Sequence, residues 1–223
     1  MRRLFGTLRG SCLCLAASSA LGLLGGCHRQ PKPSLVPPQT VEMDAKALDE
    51  FYHEIEEYLE LRQKVYREVP PLPPEATAEQ IALHQQALTT VIKKFRHGAK
   101  RGEIFEPHIE AAFRRVLRQE FLGPDGPALL KAIKQGNPRL EGNPKPSNPT
   151  QEVTQRVNVV VNGYYPDEAP FSSVPPAILL KIPILPEPVR YRFVGRDFII
   201  RDTDANIILD YISDVVPDRS MPR

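Results

Sequence analysis

Cysteine is nearly absent from this chain. All three cysteines, Cys12, Cys14 and Cys27, fall within the first 27 of the 223 residues. The rest of the chain therefore has no thiol that could form a disulfide, act as a nucleophile or bind a metal as thiolate. Close histidine pairs are also missing, so we expect no zinc site. Packing alone must hold the folded part together.

Several signatures of catalysis are missing as well. No Gly-rich phosphate-binding loop occurs. No Gly-x-Ser-x-Gly elbow surrounds Ser172 and Ser173, which we interpret as a helix cap before Pro175. Glu50-x-x-His53 matches half of a di-iron helix motif, but no second copy exists. We therefore predict no cofactor and leave open whether the protein is an enzyme.

The amino terminus has the pattern of a secretory signal. Arg2, Arg3 and Arg9 precede an uncharged run over 11–24. That run is too short to remain as a membrane-spanning helix, which needs roughly 20 apolar residues. A basic start, a short apolar core and a small-residue exit predict an export signal over residues 1–26. The Arg2-Arg3 pair leaves both general and twin-arginine export open.

The exit of this signal, Leu24-Gly25-Gly26-Cys27, resembles the lipobox of bacterial lipoproteins. The resemblance implies a diacylglycerol on the Cys27 sulfur, cleavage before Cys27 and acylation of the new amine, which together anchor a chain lastingly. In that family an Asp after the cysteine favours the inner membrane, whereas this chain has His28. We expect the periplasmic face of the outer membrane in a cell with two membranes. The alternative is an ordinary signal or an uncleaved anchor with a chance cysteine.

The positive charge of the chain belongs to its signal. The formal net charge is +2, but the first 26 residues hold three arginines and no acid, which leaves about −1 for the remainder. Nucleic-acid binding therefore loses its electrostatic support. We expect a membrane, reached through the lipid, and an envelope protein as candidate partners.

Composition divides the chain after the signal into five segments and predicts an α+β fold. We expect an antiparallel hairpin or bundle of three to four helices, followed by a small antiparallel β-meander. The predicted segments are a Pro-rich tether at 27–43, a helical region at 44–136, a Pro/Asn/Gly-rich linker at 137–152, a β-rich region at 153–216 and a tail at 217–223.

Apolar residues at helical spacing predict four helices. In the first, acids precede bases such as Arg62, an order that suits the helix dipole. Thr77 and Gln80 predict a capping box for the second, whose apolar stripe includes Ile81 and Phe95. The predicted bounds are 44–69, 77 to 98 or 102, about 107–123, and 127–135.

The β-rich region begins with alternating residues over 153–161, which predict a strand. Three further strands, at 189–194, 198–202 and 207–212, predict a meander. Since three strands are stable mainly against a helix, we expect this meander to pack on the helical region. The Pro-Pro-Ala-Ile-Leu-Leu segment and the Arg-Phe-Val-Gly-Arg-Asp hairpin resemble those of uncharacterised secreted bacterial proteins. That resemblance implies no activity.

Three aromatic residues are candidate binding residues. Tyr164, Tyr165 and Phe171 lie in a Pro-bordered loop. Exposed, they would form an edge for a ligand or a partner. Folded back, they would cover the core of the β-rich region. Both interpretations stay open.

A basic surface is predicted near the end of the second helix. Its main members are Lys93, Lys94, Lys100 and Arg101, and Arg96 is grouped with them. The functional interpretation is contact with anionic headgroups or an anionic wall polymer. The simpler interpretation is that cations suit a helix C-terminus and pair with the acidic first helix.

Asp202, Asp204 and Asn206 have the first ligand spacings of a calcium loop. Ile207 stands where such a loop needs Gly, and a turn rich in Asp and Asn explains the pattern equally well. We therefore favour the turn. For the whole chain we favour a binding or scaffolding protein of the envelope. An envelope hydrolase using carboxylates and a carrier of a small apolar ligand are the alternatives.

Overall fold

The computed structural model of the chain describes residues 43–136, 157–165 and 174–217. Cys27, Phe171 and the predicted linker lie outside these ranges. Helices come first and an antiparallel meander follows, which confirms the predicted α+β class. Within the described part, no helix has the length and apolar character needed to cross a membrane. The elements are α1 Ala45–Glu68, α2 Ala78–Phe95, α3 Pro107–Leu122, α4 Gly126–Gly136, α5 Pro176–Leu179, β1 Val189–Val194, β2 Asp197–Asp202 and β3 Ile207–Ile212.

The first two helices begin at side-chain caps. The Asp44 carboxylate accepts the Ala47 N–H at 2.9 Å at the start of α1. At α2, the Gln80 N–H donates to the Thr77 hydroxyl while the Thr77 N–H donates to the Gln80 side chain. This confirms the predicted capping box. Each cap satisfies backbone donors that would otherwise lack partners in the first turn.

Helix α3 begins as predicted, with Pro107 in its first turn, where the missing N–H costs nothing. Gly123 ends it, as predicted, but with a φ of −68° rather than in the left-handed conformation typical of such a stop. The chain then turns tightly into α4, and the Gly126 N–H donates to the Gly123 carbonyl. Glycine is needed at Gly126 because the backbone of α3 comes very close to it.

One hydrophobic core joins the helices to the sheet. At its centre, the rings of Phe51 from α1 and Phe113 from α3 lie 5.1 Å apart. The Phe113 ring is 6.0 Å from that of Phe198 in β2, which is 5.1 Å from that of Tyr191 in β1. These contacts confirm that the meander packs on the helical region. A smaller cluster, which includes Ile199 and Ile208, covers the opposite face of the sheet.

The sheet is a three-stranded meander in the order β1-β2-β3. Gly195 opens the turn between β1 and β2 with a φ of +61°, which fits a tight hairpin turn. Between β2 and β3 the register shifts, because Ile200 pairs with Asp210 and Arg201 with Ile208. Leu209 is the extra residue of this bulge, so Leu209 and Asp210 both face the helices.

The strand predicted at 153–161 is not present in its described part, 157–161. Instead, the chain turns at Asn162, which has a φ of +60°, and then follows β3. The Asn162 N–H donates to the Ile208 carbonyl at 2.8 Å, and Tyr164 forms an isolated bridge with Ile207. The alternation of apolar and polar residues was misleading here, because a short segment that packs over a sheet can show this pattern without pairing as a strand.

The apolar stripe predicted for α2 is partly wrong. Leu88 and Ile92 are buried, but Ile81 is 48% exposed and Phe95 40% exposed. Every residue over 78–83 is exposed. Only the second half of α2 therefore packs against the rest of the protein.

A substitution at Gly126 tests the close turn between α3 and α4. A Cβ at this position would lie 2.1 Å from the Phe121 carbonyl oxygen and 2.7 Å from its carbon, both backbone atoms. We expect Gly126→Ala to lower the free energy of unfolding by about 1–3 kcal/mol. Gly123→Ala is the matched control, because its Cβ meets the nearest oxygen at 3.3 Å. Equal urea-denaturation midpoints for the two variants would contradict this account.

Candidate functional site

A buried carboxylate connects the first helix to the turn between β2 and β3. Asp202 Oδ2 accepts from the Tyr58 hydroxyl at 2.7 Å and from Arg62 Nε at 2.5 Å. Arg62 Nη2 reaches Asp204 at 2.8 Å and the Tyr66 hydroxyl at 2.8 Å. We call these five residues the Asp202 cluster.

The inner part of this cluster is closed to solvent. Asp202 is fully buried, and its second oxygen accepts the N–H groups of Asp204 and Ala205 at 2.9 and 3.0 Å. Burial, and then the neighbouring charge of Asp202, raise the pKa of Tyr58 well above its usual value, so its hydroxyl remains a donor. Since each carboxylate oxygen already has two donors, the cluster is built to hold two elements together.

A second buried carboxylate, Asp210, organises the loop before α3. It accepts backbone N–H groups from Gly102, Ile104 and Phe105 at 2.8–3.1 Å. The bulge at Leu209 directs Asp210 toward this loop. Backbone donors thus stabilise its charge inside the protein, and the loop is tied to β3.

Arg96, just beyond α2, is a buried cation that also joins separate elements. Its Nη2 donates to the Leu209 carbonyl, and its Nε to the Asn162 side chain at 3.1 Å. Glu103 lies 2.8 Å from the same Nη2. Arg96 therefore joins α2, the bulge of β3 and the cover over the sheet. The sequence prediction had grouped Arg96 with the basic surface and Arg62 with the cations of a helix end.

A signal for Arg62 was present in the sequence. On α1 the buried positions include Ile55, Tyr58 and Val65, and Arg62 falls between the last two on the same face. A charge in a buried stripe indicates a buried partner. The partner, 140 residues away, could not be read from the chain.

The calcium candidates lie in the turn between β2 and β3. Asp202 and Asp204 contact Arg62, and Asn206 Oδ1 accepts from Arg201 at 2.6 Å. Asn206 has a φ of +47°, a conformation that Asn tolerates well. These contacts describe a hydrogen-bonded turn whose oxygens face cationic donors, and in the described part of the chain no group of acids and histidines is arranged to hold a metal ion.

The aromatic candidates Tyr164 and Tyr165 differ in their exposure to solvent. Tyr165 is 1% exposed, packs in the smaller cluster and lies under the Arg201 guanidinium, 4.2 Å from the ring centre. Burial raises its pKa. Tyr164 is 47% exposed. Tyr165 thus covers the sheet, Tyr164 is accessible to a partner, and Phe171 is outside the described residues.

The four predicted basic side chains are exposed, and two have acidic neighbours. Lys94 Nζ lies 2.9 Å from Glu68 of α1, and Arg101 lies 3.2 Å from Glu110 of α3. Lys93 and Lys100 are exposed as well. The pairing of Lys94 with α1 is the arrangement that the simpler interpretation of this surface requires.

Two further acidic positions bear on a catalytic role. An open groove of about 500 Å³ beside α3 contains Glu110, whose carboxylate is held between Arg101 and Arg114. On α1, burial, and then the neighbouring Glu57 and Glu106, raise the pKa of Glu54.

The two residues of the half di-iron motif pair with separate partners. Glu50 contacts His108, while His53 pairs with Glu57.

Comparisons of the chain with protein-family models, with curated proteins and with solved structures found no match.

The Asp202 cluster makes a measurable prediction. We expect Arg62→Met to lower the free energy of unfolding by about 3–5 kcal/mol, because it leaves a buried carboxylate without its cation. Arg115→Met is the matched control. It removes an exposed arginine 3.3 Å from Asp44, and such surface pairs contribute only about 0–1 kcal/mol. Urea denaturation followed by circular dichroism measures both, and similar losses would show that Asp202 does not depend on Arg62.

Proposed function

We propose that this protein is a bacterial envelope lipoprotein whose folded body serves as a binding or scaffolding module, held at the periplasmic face of the outer membrane. The observation that carries the proposal is the Leu24-Gly25-Gly26-Cys27 lipobox after a basic and apolar signal. The Pro-rich stretch at 27–43 suits a spacer between the lipid and α1.

The folded body supports a binding role better than the two alternatives. The aromatic cluster around Phe51 and Phe113 fills the space between helices and sheet, which disfavours a carrier of a small apolar ligand. Asp202 and Asp210 are fully buried and each joins separate elements. What this body offers a partner is its surface, including the exposed Tyr164.

Lipidation is tested on protein made in a lipid-modifying bacterial host. We expect an intact mass equal to residues 27–223 plus diacylglycerol and an amide-linked acyl chain, in the membrane fraction. Cys27→Ala should lack the acyl mass and keep its signal uncleaved, because the modification and the cut both require the thiol. A wild-type protein that is soluble and has a free thiol would refute the proposal.

The binding role is tested by affinity recovery from detergent-solubilised envelope. We expect a defined envelope protein to be recovered with the wild type and several-fold less of it with Tyr164→Ala. Leu83→Ala removes a side chain of similar exposure, 58%, on α2 and should behave like the wild type. No recovery, together with turnover of a cell-wall substrate that Glu54→Gln abolishes, would favour the hydrolase.

A further inference from the structure

Four exposed apolar side chains lie in or beside α3 and α5. They are Leu122, 73% exposed, Leu180 at 53%, Leu179 at 42% and Ile184 at 41%. Beneath them, Ile178 of α5 is fully buried and α5 packs against α3. We call these four residues the amino-end patch, because they lie near the amino-terminal end of α1.

Three of the four are attached beside the first third of α1. The backbone of Ile184 lies beside the Tyr52 hydroxyl of α1. Tyr52 follows Asp44 by eight positions, which is about 12 Å along a helix. Leu179 and Leu180 precede Ile184 by only a few residues.

Leu122 lies at the same end. Helices α1 and α3 are antiparallel, since Asp44 pairs with Arg115 and Glu50 contacts His108. Leu122 follows Arg115 by seven positions, so α3 carries it about 10 Å past the start of α1. The patch therefore surrounds the end of the fold at which the chain arrives from Cys27.

The length of the connecting chain limits how far this end can be from the anchor. Met43 follows Cys27 by 16 positions, which span at most about 55 Å when fully extended. The opposite end of α1, at Glu68, lies about 36 Å further along the helix axis. Lys94 pairs with Glu68, so Lys93 and Lys94 are at the distant end.

The chemistry of the patch matches a lipid–water interface. Leucine and isoleucine side chains gain from leaving water, and cations beside them favour headgroups. The exposed Arg118 is one helical turn before Leu122, and Lys181 is between Leu180 and Ile184 in the sequence.

We propose that the amino-end patch rests on the bilayer surface that holds Cys27, so that the body is oriented on the membrane with Lys93 and Lys94 facing away. This inference rests on the proposed lipid anchor, because the anchor is what brings this end to the bilayer. The occupant of the patch is the lipid surface itself.

The test uses the whole lipidated protein and the absence of cysteine after Cys27. Leu180→Cys introduces one free thiol for an environment-sensitive dye, and Ile184→Cys gives a second position in the patch. Lys93→Cys is the control, since Lys93 is exposed next to the Lys94–Glu68 pair. Each protein is placed in phosphatidylcholine vesicles with and without lipids that carry a quencher near the headgroup.

We expect the dyes at 180 and 184 to be quenched several-fold more than the dye at 93, with blue-shifted emission. If the protein floats with the vesicles but the three dyes are quenched equally, the orientation is wrong while the anchor stands. If the protein does not float, the anchor itself fails. A blue shift at 180 that requires added envelope proteins would assign the patch to a protein partner and overturn the proposal.

Discussion

The fold depends on one buried carboxylate. Asp202 ends β2, and its two oxygens take four donors, from Tyr58 and Arg62 of α1 and from the backbone of the following turn. A buried charge is tolerated only when it is paired and fully hydrogen-bonded. The helix and the turn must therefore meet in one geometry.

The bulge in β3 brings two further buried charged groups, Arg96 and Asp210, to their backbone partners. By inserting Leu209, it exposes a carbonyl that Arg96 can reach and directs the carboxylate of Asp210 to the loop before α3. One irregularity in a strand thus ties α2 and the 102–105 segment to the sheet. Bulges are typically used in this way, to redirect a side chain where two elements must meet. Apolar packing supplies the stability of this body, and these ionic contacts determine the arrangement of its elements.

The sequence predicted what depends on local chemistry. Helical spacing, the Thr77 cap and the prolines predicted the helix bounds to within one or two residues, except for the end of α2, which lies at Phe95 rather than at Gly98 or Gly102. The hairpin turn at Gly195 predicted β1 and β2. The prediction failed where contacts between residues far apart in the sequence determine the structure. Strict alternation from Ile207 would place Asp210 on the outer face, and only the bulge reverses this. The prediction counted Arg62 only among the bases that suit the helix dipole, because its partner lies 140 residues away. In the candidate site, whether Tyr165 or Tyr164 faces solvent depended on contacts with Arg201 and Ile207 that no local pattern shows.

The separation in sequence between Tyr58 and Asp202 has a consequence for the life of the new chain. The two side chains are 144 positions apart. At a synthesis rate of roughly 5–20 residues per second, Tyr58 is synthesised about 7–29 seconds before Asp202. During that interval the apolar stripe of α1 and Arg62 have no sheet to pack against. A chain whose first helix waits for its last strands cannot complete its fold while it is being made, and an incompletely folded polypeptide can still be threaded through a narrow channel.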